Sequence, residues 1–151
     1  MNKIERLQNA TSYEADYAQW CAEQGALLRA GRVADLDREN LAEEIESLGR
    51  SDKREIEHRL KVLLVHLIKY KVQPEGRCGS WRATIKEQRF RIAKVLRESP
   101  SLRGYPSIVL EEEYSFARPE AAAEANLDET QIPERAPFTI EQVLDLSFLP
   151  E

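Results

Sequence analysis

The stretch that decides the fold is Leu36–Lys71, LDRENLAEEIESLGRSDKREIEHRLKVLLVHLIKYK. Its apolar residues include Leu41, Ile45, Leu48, Ile56, Leu60, Leu63 and Leu67. At about 100° per residue, Ile45 and Ile56 lie within about 20° of one another, and Ile45 and Leu63 coincide. Between them stands Gly49-Arg50-Ser51-Asp52, which reads locally as a break, with Ser51 able to cap a new helix. Two helices joined by a loop have no reason to keep phase across it. The spacing therefore predicts one long helix over 36–71, with Gly49 as the place for any bend. Two helices meeting in a tight turn at Gly49 are the alternative. The same phase predicts that the line through Ile45 and Leu63 faces inward.

Working outward, Tyr13 to Ala30 reads as a helix. Thr11 and Glu14 have capping-box spacing, and Tyr13, Tyr17, Trp20, Gln24, Leu27 and Leu28 recur on one face before the stop at Gly31. Asp35 or Asp37 caps the long helix. Beyond it, Gln73 to Gly79 is a loop, and Ser80 caps a helix over 81–98 whose apolar stripe is Trp81, Ile85, Ile92, Val95 and Leu96. Pro106 to Ala125 forms another helix, which Pro119 either kinks or restarts. Thr139 and Gln142 cap a short last helix ending near Leu144. All seven prolines lie at or beyond Pro74, so nothing stops long helices in the first half. No segment alternates as a strand does. The expected fold is all-α: a single domain over 1–151, a helical bundle of four or five helices with one long central helix and an irregular C-terminal segment. Residues 1–10 read as a loose arm and 127–151 as a wrapped tail.

A chain of 151 residues can bury a core without a metal or disulfide. The longest apolar run, Val62 to Ile68, contains His66 and is far too short to cross a bilayer. The polar start of the chain is no signal peptide, so no membrane association and a cytoplasmic location are expected. Cys21 and Cys78 show neither C-x-x-C nor zinc spacing. They read as free thiols, Cys21 as a small packing residue.

Charge is segregated along the chain. Residues 1–49 carry five basic and ten acidic side chains, a net of −5. Residues 50–103 carry fifteen basic and six acidic, a net of +9. Residues 104–151 carry two basic and eleven acidic, a net of −9. One reading is self-complementarity, with acidic ends against a basic middle. The sharper reading is an anion-binding surface made by Arg82, Lys86, Arg89, Arg91, Lys94 and Arg97. A pI near 5.3 argues against the second when the anion is a nucleic acid.

Several polar residues sit on apolar faces. Arg59, His66 and Tyr70 lie within about 60° of the Ile45–Leu63 line, with Glu55 at its edge. Gln88 lies inside the stripe of the Trp81 helix and Arg89 flanks it. If the two stripes face each other, Glu55, Arg59, His66, Gln88 and Arg89 converge. The convergence is then either a satisfied buried network or a small polar pocket in which His66 titrates near neutral pH. Glu55 and His58 have the Glu-x-x-His spacing of di-iron bundles, but the second such motif is missing. No metal, no cofactor and no catalytic residue is assigned. There is no G-x-S-x-G elbow and no phosphate loop.

Four blocks together resemble a bacterial family, the domain of unknown function twenty-nine (DUF29). They are the run from Tyr13 through Tyr17 to Trp20; Leu41 to Ser51; His66 to Tyr70; and Ser80 to Arg89. The resemblance extends to Pro100-Ser101-Leu102 and to the Phe-Thr-Ile-Glu-Gln-Val-Leu run near the end. Tyr70 stands where the family pattern often has an aromatic such as Trp. The resemblance implies an all-α fold and a bacterial source, and no activity. It maps family positions onto Glu43, Glu44, Ile45, His66, Ser80, Trp81, Gln88 and Arg89. The candidate polar site is accordingly Glu44, Glu55, Arg59, His66, Trp81, Gln88 and Arg89. The candidate anion-binding set is Arg82, Lys86, Arg91, Lys94 and Arg97.

Function ranks as follows. A non-enzymatic interaction or regulatory module, with a protein partner or a homo-oligomer, comes first. Nucleic-acid binding through residues 50–103 comes second. A hydrolase or metal enzyme centred on His66 comes third.

Overall fold

The computed structural model describes residues 11–151, so the expected loose arm over 1–10 lies outside the described residues. Five α-helices follow one another: α1 Tyr17–Arg29, α2 Arg38–Val72, α3 Gly79–Glu98, α4 Tyr105–Glu124 and α5 Ile140–Leu144. Short 3₁₀ turns at Val33–Asp35, Pro74–Gly76, Pro100–Leu102 and Glu129–Gln131 connect or follow them. Among the described residues there is no strand, and no helix is long and apolar enough to cross a membrane. The contacts divide the chain into two compact units, one ending at Gly49 and one over Arg50–Glu151.

In the first unit, α1 starts later than its sequence suggests. Asp16 is the N-cap, its carboxylate accepting from the Gln19 amide at 3.0 Å. Thr11 is not the cap: its amide and hydroxyl both donate to Glu23, at 3.1 and 2.8 Å. A carboxylate is an equally good acceptor for the orphan amides of a first turn, and Asp16 is the one in reach. Gly31, at φ +72°, ends α1. Its amide bonds to Leu28 O at 3.0 Å and the Arg32 amide to Leu27 O at 2.9 Å, the double bond of a Schellman stop. Asp37 then receives the Asn40 side-chain amide at 2.8 Å and the Trp20 indole N–H at 3.0 Å. Its own amide donates to Gln24 Oε1 at 2.8 Å. Trp20 and Gln24 are the buried residues of α1, and these bonds explain how a polar glutamine can be buried there. Asp35 instead pairs with Arg32 at 2.8 Å. Cys21 is exposed, not packed, and both thiols are free.

α2 runs unbroken through Gly49, as the phase requires, which removes the two-helix alternative. The inward-facing expectation holds for only half of it. Leu63 is fully buried, but Ile45 is 66% and Leu48 70% exposed. Helical phase fixes the direction in which a side chain points; it does not supply an element to cover it. In the first unit the α1 side of α2 is the side that carries Glu44, which accepts hydrogen bonds from the Tyr13 and Tyr17 hydroxyls.

The second unit is built on the C-terminal half of α2. Leu63, Leu64, Val65, Leu67 and Ile68 are all buried, and at 100° per residue they cover about 200° of the helix. Ile85 and Ile92 of α3, Val109, Tyr114, Ala117, Ala121 and Ala122 of α4, and Ile132, Phe138 and Val143 beyond it share their cluster. α3 begins two residues earlier than expected. Gly79 is its first residue and Cys78 its N-cap, with no side-chain bond, so Ser80 lies inside the helix. α4 passes through Pro119, which is exposed and neither stops nor restarts it. Asn126, at φ 54°, closes α4, with the Leu127 amide on Ala122 O at 2.9 Å. Thr139 and Gln142 form the expected capping box of α5.

The Pro74–Gly76 turn depends on a close approach. A Cβ on Gly76 would stand 2.6 Å from Cη2 of Trp81 and 3.2 Å from Cδ of Gln73. The indole has little freedom to yield, since it packs on the core and the Lys69 ammonium sits 4.6 Å from its centroid. Gly76→Ala should therefore lower unfolding stability by about 1–3 kcal/mol, read as a lower urea midpoint. An unchanged midpoint would contradict this contact.

Candidate functional site

The structure divides the predicted polar cluster among several partners. Three of its members do meet. Arg59 Nη1 donates to Oε1 of the buried Gln88 at 3.4 Å, and Arg59 Nε stands 3.7 Å from Glu55 Oε1. This chain is loose: at that distance Nε has no hydrogen-bond partner although it is buried. It joins α2 to α3. His66 is half-buried and turns back on its own helix, Nδ1 lying 2.9 Å from the carbonyl oxygen of Val62. Trp81 stacks beneath the Lys69 ammonium, and Lys69 also pairs with Glu124 at 2.8 Å. Glu44 belongs to the first unit, where its two tyrosine donors hold its carboxyl below the usual range.

Arg89 has a different role. It is only 3% exposed, and burial lowers its pKa. Its Nε donates to Val143 O at 2.8 Å and its Nη2 to Gln142 O at 3.3 Å. It therefore ties α3 to the last turn of α5. Two other arginines act alike on the non-helical C-terminal chain. Arg118 donates to the carbonyls of Ile132 at 3.0 Å and Glu129 at 2.9 Å. Arg77 lies 4.5 Å from the Tyr70 ring centroid and donates to the carbonyls of Tyr70 at 2.7 Å and Pro150 at 3.3 Å.

The predicted anion-binding residues Arg82, Lys86, Arg91, Lys94 and Arg97 are all exposed on α3. Arg91 pairs with Glu87 at 2.9 Å and Lys94 approaches Glu98 at 3.9 Å, both within the helix. The Lys86 ammonium lies 5.7 Å from the centroid of the exposed Phe90 ring. Arg82 and Lys86, with Arg89 and Ile85, line a cleft of about 190 Å³ against Leu146, Ser147 and Leu149. Neither His66 nor Trp81 lines it. No group of three or more His, Cys, Asp or Glu side chains gathers as a metal site among the described residues.

Sequence reasoning missed the Trp20–Asp37–Gln24 linkage and the buried Glu113. Glu113 has its pKa raised by burial and by the neighbouring Glu57 and Glu112, with Lys61 acting in the opposite sense. Its neighbour Glu57 accepts from the Tyr105 hydroxyl.

The family model described as Domain of unknown function DUF29 matches residues 12–149. The chain belongs to the DUF29 family. The search of curated proteins and that of solved structures returned no match. The DUF29 match spans residues of both compact units. Glu44 belongs to the first unit, and His66, Trp81, Gln88 and Arg89 to the second. Each meets a different partner within the fold.

Glu113 gives a pH test of the packing. A carboxyl whose folded pKa is raised binds protons more readily folded than unfolded, so its contribution is full below the unfolded value and is lost as pH rises through the folded value. Glu113→Gln should raise the melting temperature at pH 7, with the difference from wild type shrinking as pH falls through the raised folded value and gone below about 4. A difference independent of pH would show that Glu113 does not titrate in the folded chain.

Proposed function

We propose that this chain is a non-enzymatic interaction module that associates with further copies of itself, α3 of one copy against α4 of another. What supports the reading is a pair of complementary exposed faces. On α3, Phe90 is half exposed and stands among Lys86, Lys94 and Arg97. On α4, Ile108 and Phe116 are exposed at 77% and 55%, with Glu111 and Glu112 exposed between them. The α3 face sets one large apolar side chain among mainly basic groups, with Glu87 and Glu98 paired within the helix, and the α4 face sets two among acidic ones. Apolar contact supplies affinity in such an interface, while charge supplies register and rate. Because the two faces differ, each copy can donate one and accept the other. Two free cysteines fit a reducing compartment, in keeping with a bacterial cytoplasmic protein.

Sedimentation velocity tests this. Association should strengthen with concentration and weaken with salt, since exposed pairs are screened over about 10 Å at 0.1 M. Lys94→Glu with Arg97→Glu should give monomers, and adding the Glu111→Lys, Glu112→Lys variant should restore mixed complexes. Strictly monomeric wild type at every concentration would overturn the reading. So would tight low-salt binding of α3 to nucleic acid that survives the charge reversal of α4.

A further inference from the structure

We infer that the cleft between the N-terminal half of α3 and residues 146–149 is a binding site for a small organic anion bearing a short apolar group. The inference rests on the cleft itself, and it holds whether or not copies of the chain associate.

Arg89 is the first observation. It is buried, yet among the described residues it has no carboxylate at ion-pair distance. The two carbonyls it meets orient the guanidinium through Nε and Nη2 and leave its charge unbalanced. Its bonds to those carbonyls use Nε and Nη2, and Nη1 is not among the buried atoms left without a partner. Asp145 is the acidic group whose field reaches Arg89, but Asp145 is exposed and its Oδ1 is taken by the Ser147 amide at 2.9 Å and hydroxyl at 2.8 Å. Asp145 thus offsets the buried charge only from beyond ion-pair distance, and an anion in the adjoining cleft would supply a closer counter-charge.

The cleft has the matching chemistry. Arg82 and Lys86 line it about two turns and one turn before Arg89, and neither takes part in an ion pair among the described residues. Three cations therefore converge from positions 82, 86 and 89 of one helix face. The buried Ile85 lines the cleft beside them on α3, and from the C-terminal chain come Leu146, which remains 59% exposed, and the half-buried Leu149. An anionic head between the cations would bring its tail onto Leu146. A cleft of about 190 Å³ falls below the roughly 300–1,000 Å³ of pockets that enclose drug-sized molecules, so the ligand is small. A guanidinium pairs two-pronged with planar carboxylate or with phosphate, so either head group satisfies the site.

Isothermal titration of the full chain with isovalerate, with isobutyl phosphate and with isobutylamine tests the inference. Isovalerate or isobutyl phosphate should bind and the amine should not. The anion that binds more tightly identifies the head group. Arg82→Gln with Lys86→Gln, both exposed and outside the core, should weaken binding about tenfold or more. Lys94→Gln with Arg97→Gln should leave it unchanged, which separates this site from the association face. No binding of either anion at about 10 mM, or equal binding by the Arg82/Lys86 variant, would overturn it.

Discussion

A helix buried around most of its circumference cannot stand by itself in water, and the segment Leu60–Ile68 of α2 is such a helix. Everything after Gly49 answers that demand. α3 contributes Ile85 and Ile92, α4 contributes Tyr114 and the small residues Ala117, Ala121 and Ala122, and the C-terminal chain contributes Ile132, Phe138 and Val143. The first unit has no such demand. Its buried centre is Trp20, held by a hydrogen bond to Asp37, and α2 there keeps Ile45 and Leu48 in solvent.

Covering the central helix with non-helical chain creates a second requirement. Backbone carbonyls of that chain, like those in the last turn of the short α5, have few or no intrahelical donors and still need them when they approach the core. Three arginines and a tyrosine supply these. Tyr114 donates to Pro133 O at 2.6 Å, and Arg118, Arg89 and Arg77 reach carbonyls of residues 129–150. Of these, Arg89 also lines a cleft with the two further cations Arg82 and Lys86. Arg118, by contrast, also pairs with Glu129 at 3.2 Å.

Local signals carried over well and long-range ones did not. The α2 phase through Gly49 and the Thr139–Gln142 capping box depend on residues within a few turns, and both are present in the fold. The start of α1 was misplaced because Thr11 and Asp16 are comparable acceptors, and only the fold decides that Thr11 is taken by Glu23. Facing stripes correctly suggested that Arg59 meets Gln88. They also suggested His66 as a neighbour, whereas an imidazole on a helix can bond to the carbonyl four residues back, and His66 does so with Val62. The partner of Arg89 lies 54 residues away at Val143, beyond any periodicity. The cleft it lines was invisible for the same reason: its cations form a recognisable helical set, but its apolar wall comes from residues 146–149.

The claim that α2 is one helix from Arg38 to Val72 underlies the whole account, and backbone carbon chemical shifts test it residue by residue. The account predicts helical Cα shifts without interruption across Leu48 to Lys53. A return to random-coil values at Gly49, Arg50 and Ser51 would contradict it.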